Sequence, residues 1–435
     1  MKKLKVLSAI LLLVLMVPLT ASAQGPSTYW SGIQIQNQSN QSASIVVTYY
    51  NQDGSVATTH SDTIAASDSV TYGTVHPADG FNGSVVISSD QPVVAISNLM
   101  GDGLDFGSSY GGFSAGATSV NLPLIMRDNY GYSTWFNVQN TGSNAATVNI
   151  SYSNGATEGP VTVQPGAAYT FNQADNTDLP SGFSGSASVS SSEPVAVTVV
   201  ETGATTLFAY NGFTSSATKL SMPLVQMFNW GYITGVQIMN TGSSATSVTL
   251  SYTPSTAGTA CAETKTIQPN KSATFVLDAF TAGGSCGTAT FVGSAEVTTN
   301  SANQPLVAIV NQLNSGANKG AAYAAFDPSA ATGTVNLPLI MDRNYGYFTG
   351  FSVANVGSSA TTVTVTCSGS SYSVSDTLAP GEALSDVQLN KIADGYSGSC
   401  TAVASGGDEK IVAVVNELNS GLGGDAFLVY EGFSK

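Results

Sequence analysis

The sequence predicts an all-β protein, a tandem array of four β-sandwich domains, on three observations. A long phrase recurs: NLPLIMRDNYGYSTWFNVQNTGS at 121–143 returns as SMPLVQMFNWGYITGVQIMNTGS at 221–243 and NLPLIMDRNYGYFTGFSVANVGS at 336–358. Between the landmarks, short stretches such as GVQIMN and FSVAN alternate apolar and polar residues, the period of half-buried strands. Clusters of Gly, Asn, Ser and Pro interrupt these stretches at roughly every 8–12 residues, the spacing of an all-β sandwich.

The first element is a leader. MKKLKVLSAILLLVLMVPLTASAQ has a basic start in Lys2, Lys3 and Lys5, a short apolar core, and the cleavage pattern Ala21-Ser22-Ala23, so residues 1–23 are expected to be a cleaved signal peptide. The apolar run falls short of the roughly 20 residues of a bilayer span. The leader holds three of the twelve Lys and Arg residues, so the mature chain carries nine against 27 acidic residues, a net charge near −18. Such a surface repels nucleic acid and anionic membranes. Its aromatic and β-branched content argues against disorder.

Each unit then repeats one series of elements. Pro123, Pro223 and Pro338 each precede an asparagine by 17 residues: Asn140, Asn240 and Asn355. Each asparagine opens a turn (NTGSNA, NTGSSA, NVGSSA), and twelve residues later come Tyr152, Tyr252 and Cys367. The first unit joins the series at Asn37, with Tyr49 twelve residues on. A turn QPGA, QPNK or APGE follows, with Pro before a Gly or Asn that accepts φ > 0, as a type II turn requires; the first unit has AASD there. GFNGS, GFSGS, FVGS or GYSGS then leads to an apolar run, and the units close on YGGF, YNGF, YAAF and YEGF. A period of about a hundred residues marks an array of domains rather than a solenoid. The expected domains are 24–119, 120–218, 219–333 and 334–435. Strands of 6–8 residues span about 20–27 Å, so four domains end to end would form a rod on the order of 150 Å long.

N-x-G-S-x-A-x-x-V followed by a Pro-Gly turn resembles the immunoglobulin-like, CARDB-like repeat domains of bacterial secreted and surface proteins. The resemblance covers all four units at the level of fold class. It implies a stalk, adhesion or assembly role rather than a reaction: a non-catalytic structural or adhesive component of a surface, matrix or filament, or a spacer. The partners implied are other cell-surface or matrix proteins, polysaccharide, or further copies of the chain, with no nucleic acid and no stable membrane insertion. The expected location is extracellular, with attachment to a cell surface as an option.

The cysteines fit an oxidising compartment. Pro223 to Pro338 is 15 residues longer than Pro123 to Pro223, and two of the enlarged loops hold Cys261 and Cys286; a bridge between them would clamp loops at one end of a sandwich. Cys367 takes the place of Tyr49, Tyr152 and Tyr252, while Cys400 aligns with Ala187 and Ala295. A large-small pair elsewhere becomes two cysteines here, so a Cys367–Cys400 bridge joining facing strands is expected. A four-Cys zinc site is disfavoured by the absence of C-x₂-C spacing.

Candidate chemistry is sparse. GFSAG at 112–116 and GGSCG at 283–287 match the nucleophile pattern G-x-S-x-G, but with Gly at 45 of 435 positions chance matches are expected, and both histidines, His60 and His76, precede the serines. No catalytic residue is assigned and no enzyme is expected; a glycoside-active carboxylate pair is the distant alternative. GDGLDFGSS at 101–109 and ADNTD at 174–178 read as solvated acidic loops; holding a cation, calcium at the first, is the alternative, and no cofactor is assigned. The aromatic turns supply Tyr130 and Tyr132, Trp230 and Tyr232, and Tyr345 and Tyr347. Packing between neighbouring domains is the expected role, because the first unit has only PSTYWSG there and no predecessor. Stacking on sugar faces, in a secreted glycan-binding protein, is the alternative.

Overall fold

The computed structural model describes residues 28–72, 80–103 and 105–435. The leader expected over residues 1–23 and His76 lie outside them. Among the described residues the regular structure is β-strand apart from a three-residue 3-10 turn at Pro328–Ala330.

The strands pair within four successive stretches of chain. Set 1 holds β1 (Tyr29–Asn37), β2 (Ala43–Asn51), β3 (Val56–Ile64), β4 (Ser69–Tyr72), β5 (Gly83–Ser89), β6 (Val93–Gly101) and β7 (Phe106–Gly111). Set 2 holds β8 (Ala117–Arg127), β9 (Ser133–Asn140), β10 (Ala146–Tyr152), β11 (Thr157–Val163), β12 (Ala168–Asn172), β13 (Phe183–Thr202) and β14 (Leu207–Asn211). Set 3 holds β15 (Lys219–Met227), β16 (Ile233–Asn240), β17 (Thr246–Ala257), β18 (Cys261–Ile267), β19 (Ser272–Phe275), β20 (Phe291–Thr299), β21 (Leu306–Asn314) and β22 (Lys319–Ala324). Set 4 holds β23 (Thr334–Asp342), β24 (Phe348–Asn355), β25 (Thr361–Cys367), β26 (Ser373–Leu378), β27 (Ala383–Val387), β28 (Tyr396–Ser405), β29 (Ile411–Leu418), β30 (Phe427–Glu431) and β31 (Phe433–Ser434).

Set 3 shows the plan most plainly, with one antiparallel sheet ordered β15-β20-β17-β18 and a second ordered β19-β16-β21-β22. Val236 and Ile238 of one sheet share a core with Val248 and Leu250 of the other, the arrangement of a β-sandwich. In set 2 the two layers are linked because β13 runs unbroken through both: its first half pairs with β8 and β10, its second with β9 and β14.

The repeated turns explain themselves locally. Asn37, Asn140, Asn240 and Asn355 are buried, and each side-chain amide donates to a carbonyl four residues on and to one on a neighbouring strand (Asn240 to Ser244 and Ile267, at 2.8 and 3.0 Å). Each amide oxygen accepts the N–H two residues on. One side chain thus satisfies backbone groups that a buried turn would leave orphaned. Gly166, Asn270 and Gly381 have positive φ as the turn requires, and so does Ser67, where AASD lacks the usual Pro-Gly.

Both cysteine pairs are disulfides. Cys261–Cys286 spans a Cα–Cα distance of 5.5 Å and closes 25 residues; Cys367–Cys400 closes 33. Cys367 faces Cys400 in register just as Tyr152 faces Ala187 and Tyr252 faces Ala295. Loops of this size stabilise by roughly 3–4 kcal/mol in the chain-entropy account.

The expected rod is not formed; the sets close into a ring. Ser84 Oγ donates to the Gly166 carbonyl, Ser186 Oγ to that of Asn270 (2.8 Å), Ser294 Oγ to that of Gly381, and Ser399 Oγ returns to that of Ser67 (3.5 Å). The serine of each small-residue signature therefore meets the positive-φ turn of the next set, and set 4 meets set 1. The last long strands, β7, β14, β22 and β30, pack side by side around the centre, β7 and β22 each touching both β14 and β30. Cores run across the seams: Ile309 joins the core of set 2, Val414 that of set 3 and Ile96 that of set 4. Copies of one unit related by rotation bury more surface in a closed ring than end to end, because no copy is left with a bare end.

Asp425, buried in set 4, contacts all three other sets. Its carboxyl oxygens accept the Leu207 and Gly320 N–H groups, both at 2.8 Å, and its own N–H donates to the Asp105 carbonyl at 2.6 Å. Two outcomes follow. Small-angle scattering of the purified chain over residues 24–435 is expected to give a radius of gyration near the value of about 22 Å for a compact chain of this length, and a value about double that would restore the rod. Asp425→Asn, whose amide nitrogen cannot accept a backbone N–H, is expected to lower stability by about 2 kcal/mol in denaturant titration.

Candidate binding face

The aromatic turns join the two layers of each set: β8 to β9, β15 to β16 and β23 to β24. In each, the backbone N–H and C=O of an asparagine and of the tyrosine three residues on bond reciprocally: Asn129 with Tyr132, Asn229 with Tyr232, and Asn344 with Tyr347, at 2.8 to 3.3 Å. The two central residues have positive φ: Tyr130 at 50° and Gly131 at 82°, Trp230 at 51° and Gly231 at 87°, Tyr345 at 49° and Gly346 at 84°. This is the type I′ geometry that favours Asn-Gly. A bulky ring in the left-handed region costs about 1–2 kcal/mol, and the chain accepts that cost three times.

The base of each turn is fixed. The Met126, Gln226 and Met341 N–H groups donate to the buried hydroxyls of Thr134, Thr234 and Thr349 at 3.1, 3.0 and 3.2 Å. The amides of Asn314 and Asn419 donate to the carbonyls of Trp230 and Tyr345 at 3.0 and 3.1 Å.

The two rings of each turn part company. Tyr132, Tyr232 and Tyr347 turn inward. Tyr132 lies edge-on to Phe208 with its hydroxyl 2.8 Å from Thr206 Oγ1, and Tyr232 of set 3 meets Phe427 of set 4. Burial raises all three hydroxyls, Tyr232 and Tyr347 to about 12. The Asp425 carboxyl acts on each of them, which sets the three turns around one end of the ring. Tyr130, Trp230 and Tyr345 stand in solvent instead, 65%, 91% and 93% exposed. Tyr232 reaches across to the next set, Tyr132 packs within its own, and the first ring of each pair stands in solvent. Set 1 supplies a fourth corner that the repeated phrase concealed: Tyr29, eight residues before Asn37, takes the place of Tyr132, Tyr232 and Tyr347, lies edge-on to Trp135 of set 2 at 5.8 Å, and is followed by Trp30, whose indole N–H donates to the Gly103 carbonyl at 2.8 Å.

The other candidate residues do not gather. Ser114 and Ser285 sit in loops, without the strand-to-helix turn a nucleophile elbow uses. His60 lies on β3 against the Tyr49 ring. Asp102 accepts from the backbone and hydroxyl of Thr28, and Asp175 from the Asn172 amide. Among the described residues no three His, Cys, Asp or Glu side chains are grouped to hold a metal ion, and no helix is long and apolar enough to cross a membrane.

Sequence reasoning missed the polar groups at the seams. They follow the apolar run of each unit, and the only signal is that NQLNSG and NELNSG end those runs in matching polar pairs.

Strain at an exposed position gives a direct test. Trp230→Asn and Tyr345→Asn restore Asn-Gly to their turns and are expected to raise stability by about 0.5–1 kcal/mol each, measured by thermal and denaturant unfolding. Compared with known proteins, the chain matches no family model and no curated sequence.

Proposed function

We propose that the mature chain is a non-catalytic, extracellular adhesive protein of four immunoglobulin-like domains that binds neutral polysaccharide through the aromatic end of its ring. The observation that carries this reading is the exposure of Trp230 and Tyr345 in a strained backbone conformation. A side chain held out of the core, at a conformational cost, on a rigid base is placed for something outside the molecule. Rings present large flat apolar faces with little entropy to lose on contact, which suits the CH faces of sugars. The net charge of −15 for the full chain disfavours anionic surfaces, nucleic acid and acidic glycans. The two disulfides fit an oxidising, extracellular setting.

Binding to a panel of insoluble neutral and acidic polysaccharides tests this reading. Retention on one or more neutral members, insensitive to salt and reduced at least tenfold by Trp230→Ala with Tyr345→Ala, is the expected outcome. Retention unchanged in that double variant, or confined to none of the panel, would leave the aromatic face without this role.

A further inference from the structure

The four seams share one pair of facing positions. Counted from Pro92, Pro194, Pro305 and Lys410, the sixth residue on is Asn98, Val200, Asn311 and Asn416, and the seventh is Leu99, Glu201, Gln312 and Glu417. Across each seam the seventh residue of one set meets the sixth of the next. Leu99 shares an apolar cluster with Val200. Asn311 Nδ2 donates to Glu201 Oε2 at 2.8 Å, and Asn98 Nδ2 to Glu417 Oε2 at 3.2 Å. Gln312 and Asn416 exchange two bonds, each amide donating to the other's oxygen at 3.2 Å.

The two Glu–Asn seams have the Gln–Asn layout with one hydrogen missing. Glu201 Oε1, Glu417 Oε1, Asn98 Oδ1 and Asn311 Oδ1 are all buried without a partner. Two acceptor oxygens are orphaned in each pair, and a single proton on the carboxyl satisfies both, with Oε1–H donating to the asparagine Oδ1. We infer that Glu201 and Glu417 are carried as neutral carboxylic acids that latch two opposite seams of the ring, between sets 2 and 3 and between sets 4 and 1, and that their ionisation loosens those two seams while leaving the other two intact.

The surroundings agree. The ionisable groups acting around Glu201 are the Tyr210 and Tyr132 hydroxyls, and around Glu417 those of Tyr430 and Tyr347. The Asp425 carboxyl acts in turn on Tyr132 and Tyr347 and faces Lys319, and Glu431 accepts the Ala324 N–H at the seam between sets 3 and 4. Thr134 and Phe208 flank Glu201 in register, and Thr349 and Leu428 flank Glu417, all uncharged. Among the described residues no cation opposes the burial, which pushes both carboxyls up to about 8 from an ordinary value of 4.5. Below about pH 4.5 the folded and unfolded chains both hold these protons. Between 4.5 and 8 the unfolded chain releases them and the folded chain keeps them, so stability falls as pH rises through that window and levels off above it.

The test uses the full mature chain, Glu201→Gln with Glu417→Gln, and Gln312→Glu. Gln is already accommodated at the equivalent position of the third seam, so the double variant is expected to fold. At pH 6 the infrared difference spectrum between the wild type and the double variant should contain a protonated-carboxyl carbonyl band. The loss of melting temperature between pH 5 and pH 9 should shrink in the double variant, the remainder coming from Asp425 and Glu431, whose carboxyls burial also raises. Gln312→Glu should add a protonated-carboxyl band and steepen that loss, because it puts a titrating carboxyl opposite Asn416 in the third seam. Absence of the band in the difference spectrum, or a pH dependence of melting unchanged by the double substitution, would overturn the assignment; a band in Gln312→Glu at pH 6 would support it.

Discussion

The ring depends on the way its sets hide their edges. In each set the sheet that carries the apolar run ends in a closing strand, β7, β14, β22 or β30, and these strands lie against one another at the centre. An edge strand in solvent offers unpaired backbone groups to any other chain. Here side chains and backbone from neighbouring sets take that role: the Asn211 amide donates to the Gly111 carbonyl, Ser109 Oγ to that of Val429, and the Ala324 N–H to Glu431 Oε1, at 2.7, 2.7 and 2.5 Å. Closure also removes residues from water that a single set would expose. Ile96, Ile309 and Val414 sit in the core of the neighbour rather than their own, and burying a side chain of that size is worth about 1.5–3 kcal/mol. A set taken out of the ring would lose that burial on both sides.

The same closure explains how the aromatic end tolerates strain. Each turn needs residues at positive φ, and a lone hairpin would relax or slip. Thr134, Thr234 and Thr349 are buried beneath the turns, and the inward tyrosines wedge against neighbouring strands. The surrounding packing over-determines the turn, which is the condition under which unfavourable backbone conformations persist. The stability of the ring and the presentation of Tyr130, Trp230 and Tyr345 are therefore linked: the inward ring of each pair anchors the outward one.

The all-β class, the strand-turn rhythm and both disulfide pairings were legible because they are local or pairwise. Asn140, Asn240 and Asn355 mark turns through their own hydrogen bonds, and Cys367 stands where a tyrosine faces a small residue elsewhere. The ring was not legible. Its seams are made by Ser186, Asn270 and their counterparts, residues that read equally well as turn chemistry. The aromatic turns were legible as a feature but not as a division of labour, since nothing in YGY or WGY says which ring faces solvent. Tyr29 escaped notice because the two residues before it, Ser27 and Thr28, lack the aromatic-Gly pattern, while the ring that packs inward is retained.

Four similar sets could close in the wrong order, or pair with sets of another chain, and the facing positions at the seams disfavour any closure that separates Leu99 from Val200. The seventh and sixth positions change as couples: Leu99 with Val200, Glu201 with Asn311, Gln312 with Asn416, and Glu417 with Asn98. If set 1 met set 3, Leu99 would face Asn311 and leave a buried amide unpaired; if set 2 met itself, Glu201 would face Val200. Each such mismatch costs about 1–3 kcal/mol for the orphaned polar group, with nothing regained. An all-apolar centre of the kind found between Leu99 and Val200 would gain burial at every seam but would not distinguish one seam from another. The buried polar pairs thus give up some of that gain and in return set the apolar seam apart from the other three, which is why a ring assembled from near-copies needs seams that are not copies.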